Sequence, residues 1–374
     1  MDSKEKMPRI DSNEEIRNLL LPHCRLKYGG IWEDPISGHK VGCLDATVGD
    51  DVMRLVGDEK ATLAIQDPPY NVIVGNKNTN HLGKMPLEEY IDWSKKWVQN
   101  TVKILKENAS LYIWLGADQN EGFQPLPDFM IMMRGFEELE TRSFITMRNQ
   151  RGYGTQKNWM AVRQELLYYI HGNPVFNIDA EYTDIPKILR GYYKKVNGKI
   201  TENLERSKSE NIRAGNVWVD IQQVFYRMPE NVSGCYAQKP LKAIERIILA
   251  SSRKNDLVVD FFAHAGTTLL AVDKLRRRCY TIDIDPIFAE MTIRRLEHFR
   301  KTTRTGWQFK NPFPEVDIEW GIKDEKVVGQ GALFQESLFS YEFSAEFKQY
   351  EVTSTAIKEA LIQAYKRQKK IGTV

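Results

Sequence analysis

Cysteine is scarce in this 374-residue chain. The four present, Cys24, Cys43, Cys235 and Cys279, lie far apart and form no CxxC pair. That spacing argues against a thiolate zinc site and a disulfide framework, and leaves reduced thiols as the expectation. Histidine is thin too. His23, His39, His81, His171, His264 and His298 never fall at HxxxH spacing, so no metal is expected. No apolar run approaches the roughly 20 residues that cross a bilayer. The opening stretch MDSKEKMPRIDSNEE is polar and lacks the apolar region of a signal peptide. A cytoplasmic protein without membrane contact is therefore expected. Internal repeats and low-complexity tracts are missing. The net charge of +3 is too small to name a partner, so local charge must carry that argument.

What is present begins with Asp67-Pro68-Pro69-Tyr70, at the end of an apolar segment, Thr62–Gln66, that reads as a short strand. Consecutive prolines hold φ and remove two backbone donors, so the segment is stiff and rich in acceptors. An Asp carboxylate and a Pro carbonyl can each accept one hydrogen of an exocyclic amino group. This draws a nitrogen whose lone pair is delocalised into a ring toward tetrahedral geometry. Tyr70 offers a face on which an extruded base can stack, worth roughly 1–3 kcal/mol. Taken alone, the tetrapeptide is also compatible with an ordinary strand-ending turn.

The second feature is Asp256-Leu-Val-Val-Asp-Phe-Phe-Ala-His-Ala-Gly-Thr-Thr268. It reads as a strand, Leu257–Asp260, then a tight turn and a helix, Thr267–Arg276. In open α/β sheets the carboxyl edge is where ligands bind. Gly266 allows close backbone approach, and Thr267 or Thr268 can cap or donate. The next strand, Cys279–Ile284, carries Asp283, about 20 residues on, placed to accept from ribose hydroxyls. An ordinary strand–turn–helix is the plain alternative. A nicotinamide enzyme is disfavoured, because the turn lacks GxGxxG and has His264 and Ala265 where small flexible residues are wanted. A nucleoside cofactor without phosphates, such as S-adenosyl-L-methionine, remains compatible.

Around these features the chain reads as α/β. Helices are expected near Asn13–Leu21 (capped by Ser12 or Asn13), Asp51–Val56, Leu87–Glu107, Pro240–Ser251 and Pro286–Arg300, with strands at Ser110–Leu115 and Glu165–Ile170. The βαβα run from Lys239 argues for a parallel sheet. Asn71–Lys84 reads as a loop beside the candidate site. Residues 141–164 hold Arg142, Arg148, Arg151, Lys157 and Arg163 with no acid, interleaved with Phe144, Tyr153 and Trp159. That mixture suits phosphate contacts and base stacking.

Together these segments resemble the S-adenosylmethionine-dependent amino-methyltransferases of DNA, over about residues 38–300. The tetrapeptide precedes the cofactor turn with a recognition region between them, an order similar to the beta class. The resemblance implies a doubly wound, mostly parallel, Rossmann-like methyltransferase sheet. It also implies an inserted target-recognition region and a C-terminal extension. The expected parts are a lead-in at 1–40, a catalytic part at 41–175, target recognition at 176–230, a cofactor-binding part at 231–301 and the extension at 302–374. Further matches are Asn216-Val-Trp-Val-Asp220 and Gln238-Lys239-Pro240-Leu241, the latter similar to a Lys-Pro segment lying against the methionine part of the cofactor.

By the same resemblance Asp67, Pro68, Pro69 and Tyr70 are the catalytic residues. Asp45, Lys239, Asp260, Phe262, Gly266, Thr267, Thr268 and Asp283 hold S-adenosyl-L-methionine. Arg148, Arg151, Lys157 and Arg163 meet DNA. The chain departs from the family's Asp-Pro-Phe-x-Gly-x-Gly-Thr loop at Phe261 and His264. Asp at the first tetrapeptide position implies adenine N6 in double-stranded DNA. Cytosine N4, RNA and a non-catalytic DNA-binding subunit stay open, as do a partner endonuclease and a homodimer. A nucleoid-associated, cytoplasmic enzyme is the expectation.

Overall fold

Element by element, local signals are met by local structure. The computed structural model describes residues 10, 13–71, 84–117, 122–155, 158–186, 193–202, 209–225, 228–308 and 310–317. Most of the expected loop at 71–84, Lys157 and the expected final helix Thr355–Lys366 lie outside the described residues. The chain runs through α1 (Glu14–Leu20), β1 (Ile31–Glu33), β2 (Lys40–Cys43), α2 (Gly49–Val56), β3 (Ala61–Gln66), α3 (Leu87–Lys103), β4 (Leu105–Trp114) and α4 (Leu126–Met133). A long hairpin follows, β5 (Glu140–Thr155) and β6 (Asn158–His171). Short strands come next: β7 (Tyr182–Pro186), β8 (Tyr193–Val196), β9 (Lys199–Glu202), β10 (Asn211–Arg213) and β11 (Val217–Trp218). Then come α5 (Leu241–Ser251), β12 (Leu257–Asp260), α6 (Thr267–Lys274), β13 (Arg278–Asp283) and α7 (Pro286–Thr302).

Two caps explain where helices start. Asn13 accepts from Ile16 N at 3.0 Å to open α1. Asp285 accepts from Ile287 N at 2.9 Å, with Pro286 at the first turn of α7. The strands β3 and β12 are buried at every residue, as interior parallel strands must be when helices cover both faces.

The main sheet has nine strands in the order β1-β2-β13-β12-β3-β4-β6-β5-β11. Neighbours from β2 to β4 run parallel, whereas β1, and the pairs β4–β6 and β6–β5, are antiparallel. One face packs on α5, α6 and α7 through Ile244, Ile247, Leu270 and Ile293. The other packs on α2, α3 and α4 through Leu55, Trp97 and Phe129. A third, smaller cluster ties α1 to α7 through Ile16, Leu20, Ile287 and Met291. This is the doubly wound, mostly parallel α/β sheet expected.

Several boundaries differ from expectation, the strand expected at Glu165–Ile170 starting already at Asn158. The helix at Leu87 ends at Lys103 rather than Glu107, and β4 begins at Leu105 rather than Ser110. The apolar spacing continues through Leu105 with no Gly or Pro stop. What ends the helix is tertiary: Ala61 N, at the start of β3, donates to Ile104 O at 2.8 Å. The basic stretch 141–164 is not an isolated surface segment but most of the β5–β6 hairpin. Its pairing with β4 stops at Leu166, so the remaining ladder reaches beyond the carboxyl edge of the sheet.

Strand order sets the site. From β3 the chain winds outward through β4, and from β12 it winds the other way through β13. The switch point therefore lies between β3 and β12, where the crevice of such a sheet opens. Their register, Val258 beside Leu63 and Val259 beside Ala64, brings Asp260 and Asp67 to the same edge. Gln66 stitches the junction: its Oε1 accepts from Phe261 N at 2.9 Å.

Candidate active site

The tetrapeptide leaves β3 and is held by its neighbours. Tyr90 of α3 donates its hydroxyl to Pro69 O at 2.6 Å. The Tyr70 hydroxyl donates to Asp67 Oδ1 at 2.9 Å, folding the aromatic ring back over its own segment. A Cβ placed on Gly116, just past β4, would stand 2.9 Å from the Tyr70 ring, so glycine there leaves that ring its room. Burial, then the Asp67 charge, pushes the Tyr70 phenol well above its ordinary range, so it stays a donor. The other Asp67 oxygen, Oδ2, lies 2.7 Å from Lys239 Nζ.

Across the junction, Asp260 ends β12 almost fully buried. Its Oδ1 accepts from Phe262 N at 2.9 Å, and the Thr268 hydroxyl donates to its carboxylate. Burial raises this carboxyl to about 7; the two hydrogen bonds and Lys239 pull it down, and Asp67 pushes it up. Asp283, half-buried at the end of β13, accepts from His264 N at 2.8 Å and from Asp285 N at 2.9 Å. Burial, reinforced by Asp285 and Asp260, raises it also to about 7. Two carboxyls under-supplied with positive charge thus share one edge.

The turn between them is shaped by Gly266 at φ 68°. A Cβ there would meet Thr292 Cα at 2.8 Å, so no other residue lets the turn sit this close to α7. His264, at φ 43°, packs its ring on Phe288 with centroids 4.7 Å apart. Phe262 meets Trp97 and Trp93 at 5.3 Å and 5.9 Å.

The remaining expected residues divide. Asp45 lies just past β2, at the same edge as Asp283. Its Oδ1 accepts from Thr47 N at 2.8 Å and Thr47 Oγ1 at 2.7 Å. Thr267 turns its hydroxyl away from the edge: it accepts from Arg295 Nη1 at 2.9 Å and donates to Lys239 O at 3.4 Å. Arg148 is exposed on β5, and Arg151 lies on the same strand. Arg163 places Nε 2.7 Å from Glu165 Oε1. Glu165 is itself buried, its carboxyl raised chiefly by burial, and is close enough to act on Tyr70.

Sequence reasoning missed Tyr90, Glu165, Glu230 and Arg295. Tyr90 lies in the apolar stripe of α3, where nothing marks its hydroxyl as an anchor. Arg295 is fully buried in α7, a helix buried on nearly every side, so no amphipathic pattern singles it out. It donates to Ala265 O at 2.7 Å, Thr305 O at 2.8 Å and Glu230 O at 3.1 Å. A separate cavity of about 460 Å³ is lined by Tyr112, Tyr168, Phe176 and Trp218 and includes none of the tetrapeptide. Among the described residues no helix is long and apolar enough to cross a membrane.

The arrangement suits a nucleoside cofactor with positive charge and no phosphates. Two carboxylates at one edge, one buried and one half-buried, attract a cation, accept from hydroxyls and repel a pyrophosphate. S-adenosyl-L-methionine carries a sulfonium, an ammonium and a ribose diol, and so fits this donor set.

Known proteins give the wider context. A DNA methylase family model, N6_N4_Mtase, matches residues 61–294. The chain is 26% identical over 245 residues to the Type II methyltransferase M.HpaI of Haemophilus parainfluenzae, covering 66% of this chain and 71% of that one. It is 27% identical over 276 residues to the DNA adenine methyltransferase YhdJ of Escherichia coli strain K12, covering 69% and 87%. The solved PvuII DNA methyltransferase (cytosine-N4-specific) aligns at TM-score 0.46 and 18% identity, over 68% of this chain and 85% of that one. With the family model matching most of its length, the chain belongs to the DNA methylases, the N6-adenine and N4-cytosine amino-methyltransferases.

Proposed function

We propose that this protein moves a methyl group from S-adenosyl-L-methionine to the N6 amino group of adenine in double-stranded DNA. The observation that carries this is the meeting of Asp67 and Asp260 at adjacent carboxyl ends of β3 and β12. When bound, the cofactor supplies a methyl made electrophilic by the sulfonium. Asp260 and Thr268 would hold its amino-acid end. Asp283 and Asp45 sit where ribose and adenine would be met, and Phe262 and Gly266 shape the turn.

Asp67 and the Pro68 carbonyl accept the two amino hydrogens of the target base. Asp67 then holds the proton released when the new C–N bond forms. Tyr70 stacks the base, which must leave the duplex to reach this edge. No covalent enzyme intermediate is needed; positioning and electrostatics suffice. The adenine reading rests on Asp67 at the first tetrapeptide position and on the E. coli relative named for adenine.

DNA approaches along the β5–β6 hairpin, with Arg148, Arg151, Lys157 and Arg163 as the electrostatic footprint and 176–230 as the target-recognition region. Replacing Arg148 and Arg151 by alanine should lower the slope of log affinity against log salt by about two. An unchanged slope removes both from the footprint.

The pH dependence of cofactor binding follows from the two raised carboxyls. Both groups titrate near 7 when folded and near 4 when unfolded, so ionising them costs the ligand-free chain stability as pH rises through about 7. A cationic ligand favours their ionised form. Cofactor affinity, read by calorimetry, should therefore weaken by about tenfold or more from pH 8 to pH 6. The melting temperature of the ligand-free chain should gain from these groups over the same interval. A flat affinity profile would remove both carboxylates from the cofactor site.

The reaction is tested by incubating the chain with tritiated-methyl S-adenosyl-L-methionine and mixed-sequence duplex DNA, then separating nucleosides. Label in N6-methyladenine is expected. Label in N4-methylcytosine overturns the base assignment and keeps the chemistry. No label in DNA or RNA points to a non-catalytic subunit.

A further inference from the structure

Lys239 stands on a clamped backbone. Gln238 Oε1 accepts from Val232 N at 3.0 Å, and its Nε2 donates to Glu230 O at 2.8 Å. Glu230 Oε2 in turn accepts from Leu241 N at 2.8 Å, taking the place of a side-chain cap on α5. From this base the Lys239 side chain, 9% exposed, runs past the rings of Trp114 and Tyr70, with Nζ 5.3 Å and 5.2 Å from their centroids. It ends on Asp67 Oδ2, while Tyr70 holds Oδ1.

We propose that Lys239 is a positioning residue for methyl transfer, whose ammonium fixes the plane of the Asp67 carboxylate and separates its charge from Asp260. This rests on the reading of Asp67 as the acceptor of the target amino group. The Lys-Pro segment of the family resemblance would instead place this lysine against the methionine part of the cofactor.

The physical case has two parts. An ionised carboxylate has about four lone-pair sites. Lys239 and Tyr70 each take one, on different oxygens, so the carboxylate cannot swing and still keeps sites for an amino hydrogen. Secondly, Asp67 and Asp260 lie at the same edge and act on each other electrostatically, and the titratable groups around them are Tyr70, Tyr90 and Glu165 on the Asp67 side and Asp283 and Cys279 on the Asp260 side. Lys239 is the cation that pulls Asp260 toward its ionised form. A desolvated ammonium that meets carboxylate on one side and aromatic faces on two others is well matched to that place.

The test uses the full chain with Lys239→Met, Lys239→Arg and Asp67→Ala. The single-turnover methylation rate at saturating DNA and cofactor is compared with cofactor affinity by calorimetry at pH 8 and pH 6.5. Lys239→Met should lose about 100-fold in rate while its cofactor affinity at pH 8 stays within about threefold. At pH 6.5 its affinity should fall further than that of the parent, because Asp260 then keeps its proton. Lys239→Arg should recover at least about tenfold of the rate.

A parental rate in Lys239→Met overturns the proposal, as does a loss confined to cofactor affinity at every pH. An arginine variant that melts like the parent yet is as slow as the methionine variant also overturns it, and this arm stands even if Lys239→Met does not fold. If Asp67→Ala methylates at the parental rate, the underlying reading of Asp67 fails instead.

Discussion

Replacing Asp67 by alanine is expected to lower methyl transfer by about 10²–10³-fold or more while the cofactor still binds. Pro68 O remains, but one carbonyl alone cannot draw both amino hydrogens out of the ring plane. The nitrogen lone pair then stays delocalised, and the proton released on bond formation has no carboxylate to receive it. Cofactor affinity should respond in the opposite direction. Asp67 is one of the charges that push the Asp260 carboxyl up toward 7. Without it, Asp260 ionises more readily, so below pH 7 the variant should bind cofactor at least as tightly as the parent. Single-turnover kinetics and calorimetry on the same preparation separate the two effects. Rate and affinity falling together would mean that Asp67 supports the fold of the crevice rather than the chemistry.

Replacing Arg295 by leucine should cost about 2–4 kcal/mol of stability. Arg295 has no exposure, and burial pulls its guanidinium down to about 10, a sign of how costly that charge is to house. Its hydrogen bonds hold Ala265 and Thr267 of the turn between β12 and α6, Thr305 after α7, and the Glu230 carbonyl. Leucine fills much of the volume but leaves the buried Ala265 carbonyl and the half-buried Thr305 carbonyl without this donor. For a domain of this size the loss corresponds to a fall in melting temperature of about 3–6 °C. Because the turn carries Gly266 and leads into Thr268, cofactor affinity should fall as well. Lysine should not rescue, since one ammonium cannot reach acceptors spread around a planar fork. A leucine variant that melts with the parent would mean the turn is held by Gly266 and the α7 packing alone.

Several elements are legible in the sequence alone. The cap at Asn13, the Asp285-Pro286 start of α7, the buried run Leu257–Asp260 and the turn into Thr267 each depend on residues within one or two turns of one another. Local sequence carries such signals in full. The tetrapeptide was legible for the same reason: two prolines restrict their own backbone whatever surrounds them. The end of α3 was not, because its stop signal is a hydrogen bond from Ala61, some forty positions upstream. The β5–β6 hairpin was missed because its arginines interrupt the alternation that marks a strand, and its pairing, not its pattern, makes it extended.

The amino-acid sequence by itself determined that this chain carries a stiff acceptor segment, a strand–turn–helix without a GxGxxG phosphate pattern, and a capped start to α1. Only the tertiary structure decided that β3 and β12 are neighbours. That adjacency brings Asp67 and Asp260 to one edge, while tertiary packing sets Lys239 on Asp67 and the Thr267 hydroxyl on Arg295. The reason is burial: strand order is chosen by how two apolar faces can be covered by helices over the whole sheet. That sum is taken over residues far apart in the chain, and no single window of sequence contains it.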